Sequence, residues 1–497
     1  MIPLDLTVVF VSTLCTVFIV WHIVQSRSLR RNLPPSLRPW PLLGNIPSLV
    51  GKEPHILMTE IGLKFGGPVT FYFGSAPVVI LTTLEEATEA FVKQAGVFSD
   101  RKIPPLLEKA FSNKGSVVWE SGPSWRFHRR NIHSGLRQIE LSDENLVSKV
   151  ILEITKLFLE IDKNLGRPTN LLESFVTLSA RVVCSVTFGS RFSSFAEKDA
   201  FAEFLSSVKL ISTKLTVFSA ATFFPPLYNT FIYEDVREAV DKMKSFLGDL
   251  LRHHRNMFEG KIRDVMDVYV DGMRKDSNKI QEESIWRTFF DLLGAGTDTT
   301  ANTLSWCVMY MCAHPQYQEM IYNEMNDKCG NDDIVSMIHQ TQLPLTNATL
   351  LEVMRCAPVT PLGVPRMTSS DTIFLGYKIP KGTDVWLNEY AIHHDRKLWQ
   401  QPEEFRPERF LNAQKDSILP EKKNQLVSFG IGRRICIGKK LAEIELFLIF
   451  SNLFKRYNVR FAFPGQTLDK VGIFGLTYSP KPFQVVLEKR QKDSLRL

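Results

Sequence analysis

The chain is poor in cysteine and arranges what it has irregularly: seven in 497 residues, with no C-x-x-C among them. An odd, irregular set excludes a disulfide framework and a zinc ribbon, and it points to a reducing compartment, where a special cysteine is special for local reasons. No Lys/Arg-rich run occurs, and a net charge of +7 is modest for this length. Nucleic acid is therefore not the expected partner, and the surplus is left for an acidic protein or a membrane surface. Low-complexity linkers, internal repeats and a flavin or nicotinamide fingerprint are also missing. What is present is ordinary for a folded protein, 44% hydrophobic and 23% charged residues. The length alone suggests two or three domains, yet no linker marks a split.

Twenty-one residues between Asp5 and Arg27 carry no Asp, Glu, Lys or Arg. At about 1.5 Å per helical residue such a run spans the ~30 Å hydrocarbon core of a bilayer. The run is long for a signal peptide, no Lys or Arg precedes it, and no small-x-small cleavage site follows, so a retained anchor over residues 1–26 is the expectation. Arg27, Arg30 and Arg31 follow it, which places the rest of the chain on the cytosolic side. Pro34, Pro35, Pro39 and Pro41 then make a stiff basic and proline-rich hinge, 27–45, ahead of a body over 46–497.

In that body, Pro68–Thr83 alternates β-branched and aromatic residues around Gly74–Pro77, a β-hairpin pattern. Leu84 to about Ile280 reads as mainly helical. Ser284–His314 contains no proline and is almost uncharged in its second half, predicting a long buried helix stopped by Pro315. Short extended pieces follow Pro358. The predicted class is mainly α with small β-sheets.

Residues 429–438 read FGIGRRICIG and lead straight into an amphipathic helix. Cys436 near a helix N-terminus is well placed to be a thiolate, because unpaired N–H groups and the positive helix end favour the anion. Gly432 and Gly438 let the backbone turn tightly beside a flat ligand, and Arg434 offers a fork of donors to a carboxylate. A phosphate loop is excluded, since the glycines are one residue too far apart and Lys439 is not followed by Ser or Thr. Three more spacings stand out. Glu352 and Arg355 share a helical face at i, i+3; Trp125 and Arg129 lie one turn apart. In Ala295–Thr300 (AGTDTT) two glycines, Gly294 and Gly296, weaken the long helix while Thr hydroxyls compete for carbonyls, so a local opening of its hydrogen-bond ladder is expected there.

With Phe429, Gly432, Arg434, Cys436 and Gly438 at F-x-x-G-x-R-x-C-x-G, the chain resembles the cytochrome P450 family from the anchor to the C-terminus, and most closely its animal microsomal steroid-hydroxylating and drug-metabolising members. The resemblance implies a single large domain around heme b, with Cys436 as axial thiolate. It implies that Asp298 and Thr299 form an acid–alcohol pair for proton delivery, and that Trp125, Arg129, Arg366 and Arg434 meet the heme propionates. Glu352, Arg355 and Arg409 would form a structural network. Phe111, Asp291, Ala295, Val364 and Phe474 would line the pocket by their positions relative to the motifs. For Asp291 two readings stay open, a hydrogen bond to substrate or a pairing that shapes the wall.

The implied reaction is insertion of one atom of dioxygen into a small lipophilic substrate such as a steroid, fatty acid or xenobiotic. Electrons would come from an NADPH-dependent flavoprotein reductase docking near Arg126, Arg130, Lys439 and Lys440. The implied location is the endoplasmic reticulum membrane, with the lipid bilayer as a further partner. Two alternatives remain: a heme-thiolate isomerase or dehydratase that uses no dioxygen, and a non-catalytic heme-binding protein.

Overall fold

The computed structural model describes Thr13 and residues 32–490, apart from 112–114, 141–142, 190–198, 216–218, 220, 222–224, 276–281 and 331. The expected anchor over 1–26 lies outside the described residues except for Thr13. Among the described residues no helix is long and apolar enough to cross a membrane. The chain divides into two compact units, one formed by Met1–Lys102, Pro361–Leu398 and Gly430–Ile435, the other by Ile103–Thr360, Trp399–Phe429 and Cys436–Leu497. It passes from one to the other five times, so no single linker could have marked the division that the length suggested.

The first unit is built on a four-stranded sheet. β1 (Val69–Phe73) and β2 (Ala76–Leu81) pair antiparallel from Val69↔Ile80 to Phe73↔Ala76, as the alternating pattern predicts. β3 (Arg366–Met367) leads into the small hairpin of β4 (Thr372–Phe374) and β5 (Tyr377–Ile379), and β6 (Asp384–Leu387) completes the sheet order β1-β2-β6-β3. Helix α1 (Pro54–Phe65) starts on a proline and ends at Gly66 in the left-handed conformation, φ 72°, the usual chemistry of both ends. The proline-rich stretch is fastened to the sheet: the carbonyls of Pro34 and Pro35 accept from Thr70 Oγ1 and N–H at 2.8 Å each. That gives the expected stiffness a specific cause.

In the second unit, helices α2 (Gly122–Glu140), α3 (Leu172–Thr187), α4 (Glu282–Ala313), α5 (Pro344–Cys356) and α6 (Lys439–Arg456) form the body, with two small antiparallel sheets. One pairs β7 (Tyr457–Phe461) with β10 (Val485–Lys489), the other β8 (Gly472–Phe474) with β9 (Tyr478–Pro480). α4 opens with Glu282 and Glu283, which suit its positive end, and Pro315 begins the next helix. Its second half is buried on every face, including Trp306 and Tyr310, and so is α6 from Ile444 to Phe454. These two segments, buried all round, are the core of the unit.

α5 also contains a glycosylation sequon, Asn347-Ala348-Thr349. Asn347 Nδ2 donates to the carbonyls of Gln340 (2.7 Å) and Leu343 (2.8 Å), and Thr349 is fully buried.

Candidate functional site

Residues 430–435 form a tight loop in the first unit. Gly430 and Gly432 have φ of 66° and 71°, a conformation that costs other residues about 1–2 kcal/mol. Arg434 is buried and donates from Nε to the Ser99 carbonyl at 2.8 Å. Arg366, on β3, donates from Nη2 to the Ile431 carbonyl at 2.6 Å, and its guanidinium lies 3.7 Å from the centre of the Phe91 ring. Both arginines therefore hold the loop's surroundings by backbone contacts, a task the sequence did not disclose. Arg366 is only 4% exposed, and its Nη1 has no hydrogen-bond partner among the described residues. Burial, and next the neighbouring Arg101, push its pKa down to about 9, against a weak opposing pull from Glu389. A buried cation beside a second cation is stable only with an anion close by. Val364, in the same unit, is partly exposed.

In the second unit, the Cys436 N–H donates to the Phe429 carbonyl at 2.9 Å, and Lys439 Nζ sits 5.7 Å from the Phe429 ring centre. α6 starts at Lys439 with Gly438 as its N-cap, so Cys436 lies three residues ahead of the helix rather than at its first turn. A Cβ on Gly438 would stand 4.0 Å from Cys436 Sγ. Among the six described cysteines Cys436 alone is exposed. Burial pushes the thiols of Cys184 and Cys307 far up, and those of Cys312 and Cys356 up to about 12. Cys329 is raised as well, again by burial first. Such thiols stay protonated and make poor metal ligands. On α2, the Arg129 guanidinium lies 5.8 Å from the Trp125 ring, and its pKa is lowered by burial and held up by Cys436.

The Ala295–Thr300 segment departs from expectation. α4 runs as a continuous α-helix from Glu282 to Ala313, so the predicted opening of its ladder is absent. Thr299 Oγ1 donates to the Ala295 carbonyl (2.7 Å) and Thr303 Oγ1 to the Thr299 carbonyl (2.8 Å), while the backbone ladder persists. Gly296 has a packing reason instead: a Cβ there would come within 2.8 Å of Val183 on α3. Asp298 accepts from Thr477 Oγ1 at 2.7 Å, and Thr477 in turn accepts from Asn302 Nδ2 at 2.9 Å. Burial raises the Asp298 pKa, with the Thr477 bond and Lys209 opposing. Thr477 was invisible in the sequence, because nothing local connects it to a residue 179 positions earlier.

Asp291 is buried and well supplied with protein donors. Its Oδ2 accepts from Ser116 Oγ (2.6 Å) and the Val118 N–H (3.1 Å), and Oδ1 lies 3.4 Å from Arg287 Nε. One turn earlier, Thr288 Oγ1 donates to the Gly115 carbonyl. Segment 115–118 is thus fastened to α4 at two successive turns, which is the wall-shaping reading of Asp291. Phe111 stacks on Phe290 with ring centres 4.3 Å apart. Ala295 is exposed, and Phe474 is partly exposed with its ring 6.2 Å from Tyr478.

Glu352 and Arg355 are both 0% exposed and pair bidentately at 2.8 and 2.9 Å. Arg409 Nε and the Arg406 N–H reach Glu352 Oε1 at 3.0 and 2.8 Å. Four donors around one carboxylate satisfy the buried charge.

A mainly helical body with small sheets, a cysteine-bearing loop ahead of a buried helix, and a buried Glu–Arg–Arg network define a heme-thiolate enzyme. The Cytochrome P450 family model matches residues 34–487, and the chain belongs to that family. It is similar to cytochrome P450 2U1 of Homo sapiens, 32% identical over 93% of this chain and 90% of that protein. Cytochrome P450 1A1 of Felis catus is 31% identical over 93% and 92%, and cytochrome P450 2J5 of Mus musculus 30% over 93% and 92%. The chain is a heme-thiolate monooxygenase whose cofactor is heme b with a cysteine thiolate as axial ligand. The donor set fits that group, for Arg366 is a buried cation in need of an anion, and a heme carboxylate is one.

Proposed function

We propose that Cys436 is the axial ligand and that the enzyme inserts one atom of dioxygen into a small lipophilic substrate. The observation that carries the assignment is the exposure of Cys436 beside five cysteines whose burial keeps them protonated. When bound, the heme supplies the oxygen chemistry, and its thiolate ligand favours cleavage of the O–O bond. Trp125, Arg129, Arg366 and Arg434 would hold its carboxylates. Asp298, whose pKa burial raises, and Thr299 relay protons from Oδ and Oγ1. Asp291 holds segment 115–118 in place, while Phe111, Ala295, Val364 and Phe474 offer apolar surface to the substrate.

Electrons come from an NADPH-dependent flavoprotein reductase, since the chain has no flavin or nicotinamide fingerprint of its own. Arg126, Arg130 and Lys440 are exposed and suit an acidic partner. We place the enzyme at the endoplasmic reticulum membrane with its body in the cytosol. Trp40, within the proline-rich hinge, and Val50, just behind it, are 62% and 82% exposed, large apolar groups that favour a lipid surface.

Reconstituted turnover tests the reading. Product that requires reductase, NADPH and dioxygen is expected, whereas rearrangement of a peroxide without them would identify an isomerase or dehydratase. Cys436→Ala should abolish the red-shifted Soret band of the reduced carbon-monoxide complex; its survival in a folded variant would refute the ligand assignment.

A further inference from the structure

Arg287 is a buried cation that the mechanism above does not use. It is 3% exposed, and its Nε and Nη1 have no hydrogen-bond partner among the described residues. Among the described residues its ion contact is the 3.4 Å approach of Nε to Asp291 Oδ1, and Asp291 turns its other oxygen to Ser116 and Val118. The guanidinium lies 4.7 Å from the Phe111 ring centre and 5.5 Å from that of Phe290, and the two rings stack. The two rings thus offer the cation a π-face beside its ion contact. Eleven residues separate Arg287 from Asp298, three helical turns, so both occupy one face of α4 about 16 Å apart along its axis. Burial pushes the guanidinium pKa down, with Asp291 and Glu120 pulling it back up.

Leaving a charged donor buried without an acceptor is costly. Nε–H and Nη1–H point in different directions, so an acceptor at Nη1 meets the guanidinium end-on, away from Asp291, and a carboxylate oxygen is a charge-assisted acceptor that suits it. Asp291 and Glu120 oppose additional negative charge in the neighbourhood, which favours a monoanion over a phosphate dianion. We propose that Arg287 is a specificity-determining residue that pairs with a carboxylate on the substrate, so that lipophilic monocarboxylic acids are preferred over neutral lipophiles of the same size. This rests on the monooxygenase reading of the same site and narrows its substrate class.

The test is a titration of the holoenzyme with dodecanoic acid and with methyl dodecanoate, followed by the substrate-induced Soret shift. The native enzyme should bind the acid about tenfold or more tightly than the ester, the ratio expected for one charge-assisted pair. Arg287→Gln should bring that ratio close to one, and Arg287→Lys should keep part of it. Equal affinities in the native enzyme, or an unchanged ratio in Arg287→Gln, would overturn the proposal, and the first result decides even if the Gln variant fails to fold. Failure of the monooxygenase reading would show separately, as absent reductase-dependent product with every probe.

Discussion

A Cβ placed on Gly432 would stand 1.9 Å from the carbonyl oxygen of Phe91. The obstacle is backbone, within a π-helical turn over Glu89–Lys93, so it cannot rotate away as a side chain could. Gly432 also has φ 71°, and any substitution meets both penalties. Gly432→Ala should therefore yield little heme-loaded protein. The amplitude of the reduced carbon-monoxide band per mole of chain measures this, and near-native amplitude would show that the loop yields.

Glu352 is the single carboxylate that two buried arginines and the Arg406 N–H share. Removing it strands both guanidinium groups, at a cost of about 3–5 kcal/mol. Glu352→Ala should lower the thermal midpoint and the yield of folded holoenzyme. Turnover per correctly folded heme should stay near native, because the network lies in the structural role. A selective loss of turnover in well-folded protein would contradict that role.

Thr299→Ala removes the hydroxyl yet little volume, so substrate binding should persist while electrons drain to hydrogen peroxide. Thr477→Val deletes the donor that stabilises ionised Asp298, raising its pKa further. The pH profile of coupled turnover should then shift upward. NADPH consumed per product formed measures the first, and unchanged coupling in Thr299→Ala would refute it; an unshifted profile in Thr477→Val would sever Asp298 from the relay.

His128 is buried against Tyr269 and Thr288, and burial lowers its pKa from 6.5 to about 4. Above pH 6.5 both folded and unfolded forms are neutral. Between pH 6.5 and 4 the unfolded chain takes up a proton that the folded one refuses, so stability falls as pH falls. The ceiling is about 3 kcal/mol. His55, lowered to about 4 by burial as well, adds to the same window. Thermal unfolding at pH 7 and pH 5 should show a smaller drop in His128→Asn than in the native chain; an equal drop would mean that other groups govern acid sensitivity.

The parts legible in the sequence were those carried by short spacings. The β1–β2 hairpin shows as alternation, α4 as a proline-free run, and Glu352–Arg355 as an i, i+3 pair. What stayed hidden joins distant segments without any periodic trace. Thr477 on Asp298, Ser116 and Val118 on Asp291, and Arg101 beside Arg366 are of this kind. The expected opening of the ladder at AGTDTT is absent for a related reason. Its glycine was taken as local weakness, whereas Gly296 answers to Val183, more than a hundred residues earlier. Helix propensity is a weak guide once a neighbour packs against the residue.

Asn347 has a consequence for where the chain can mature. Attaching a glycan to its side-chain nitrogen replaces one of the two hydrogens that this nitrogen now gives to Gln340 and Leu343. Transferases read Asn-x-Thr on extended chain, before a helix closes over it. A copy marked there in a glycosylating lumen would keep one of these two bonds and lose the other at the start of α5, the helix that carries Glu352 and Arg355. Glycan attachment and the helix start thus compete for one nitrogen, and a glycan found at Asn347 would date its own addition to before α5 had closed.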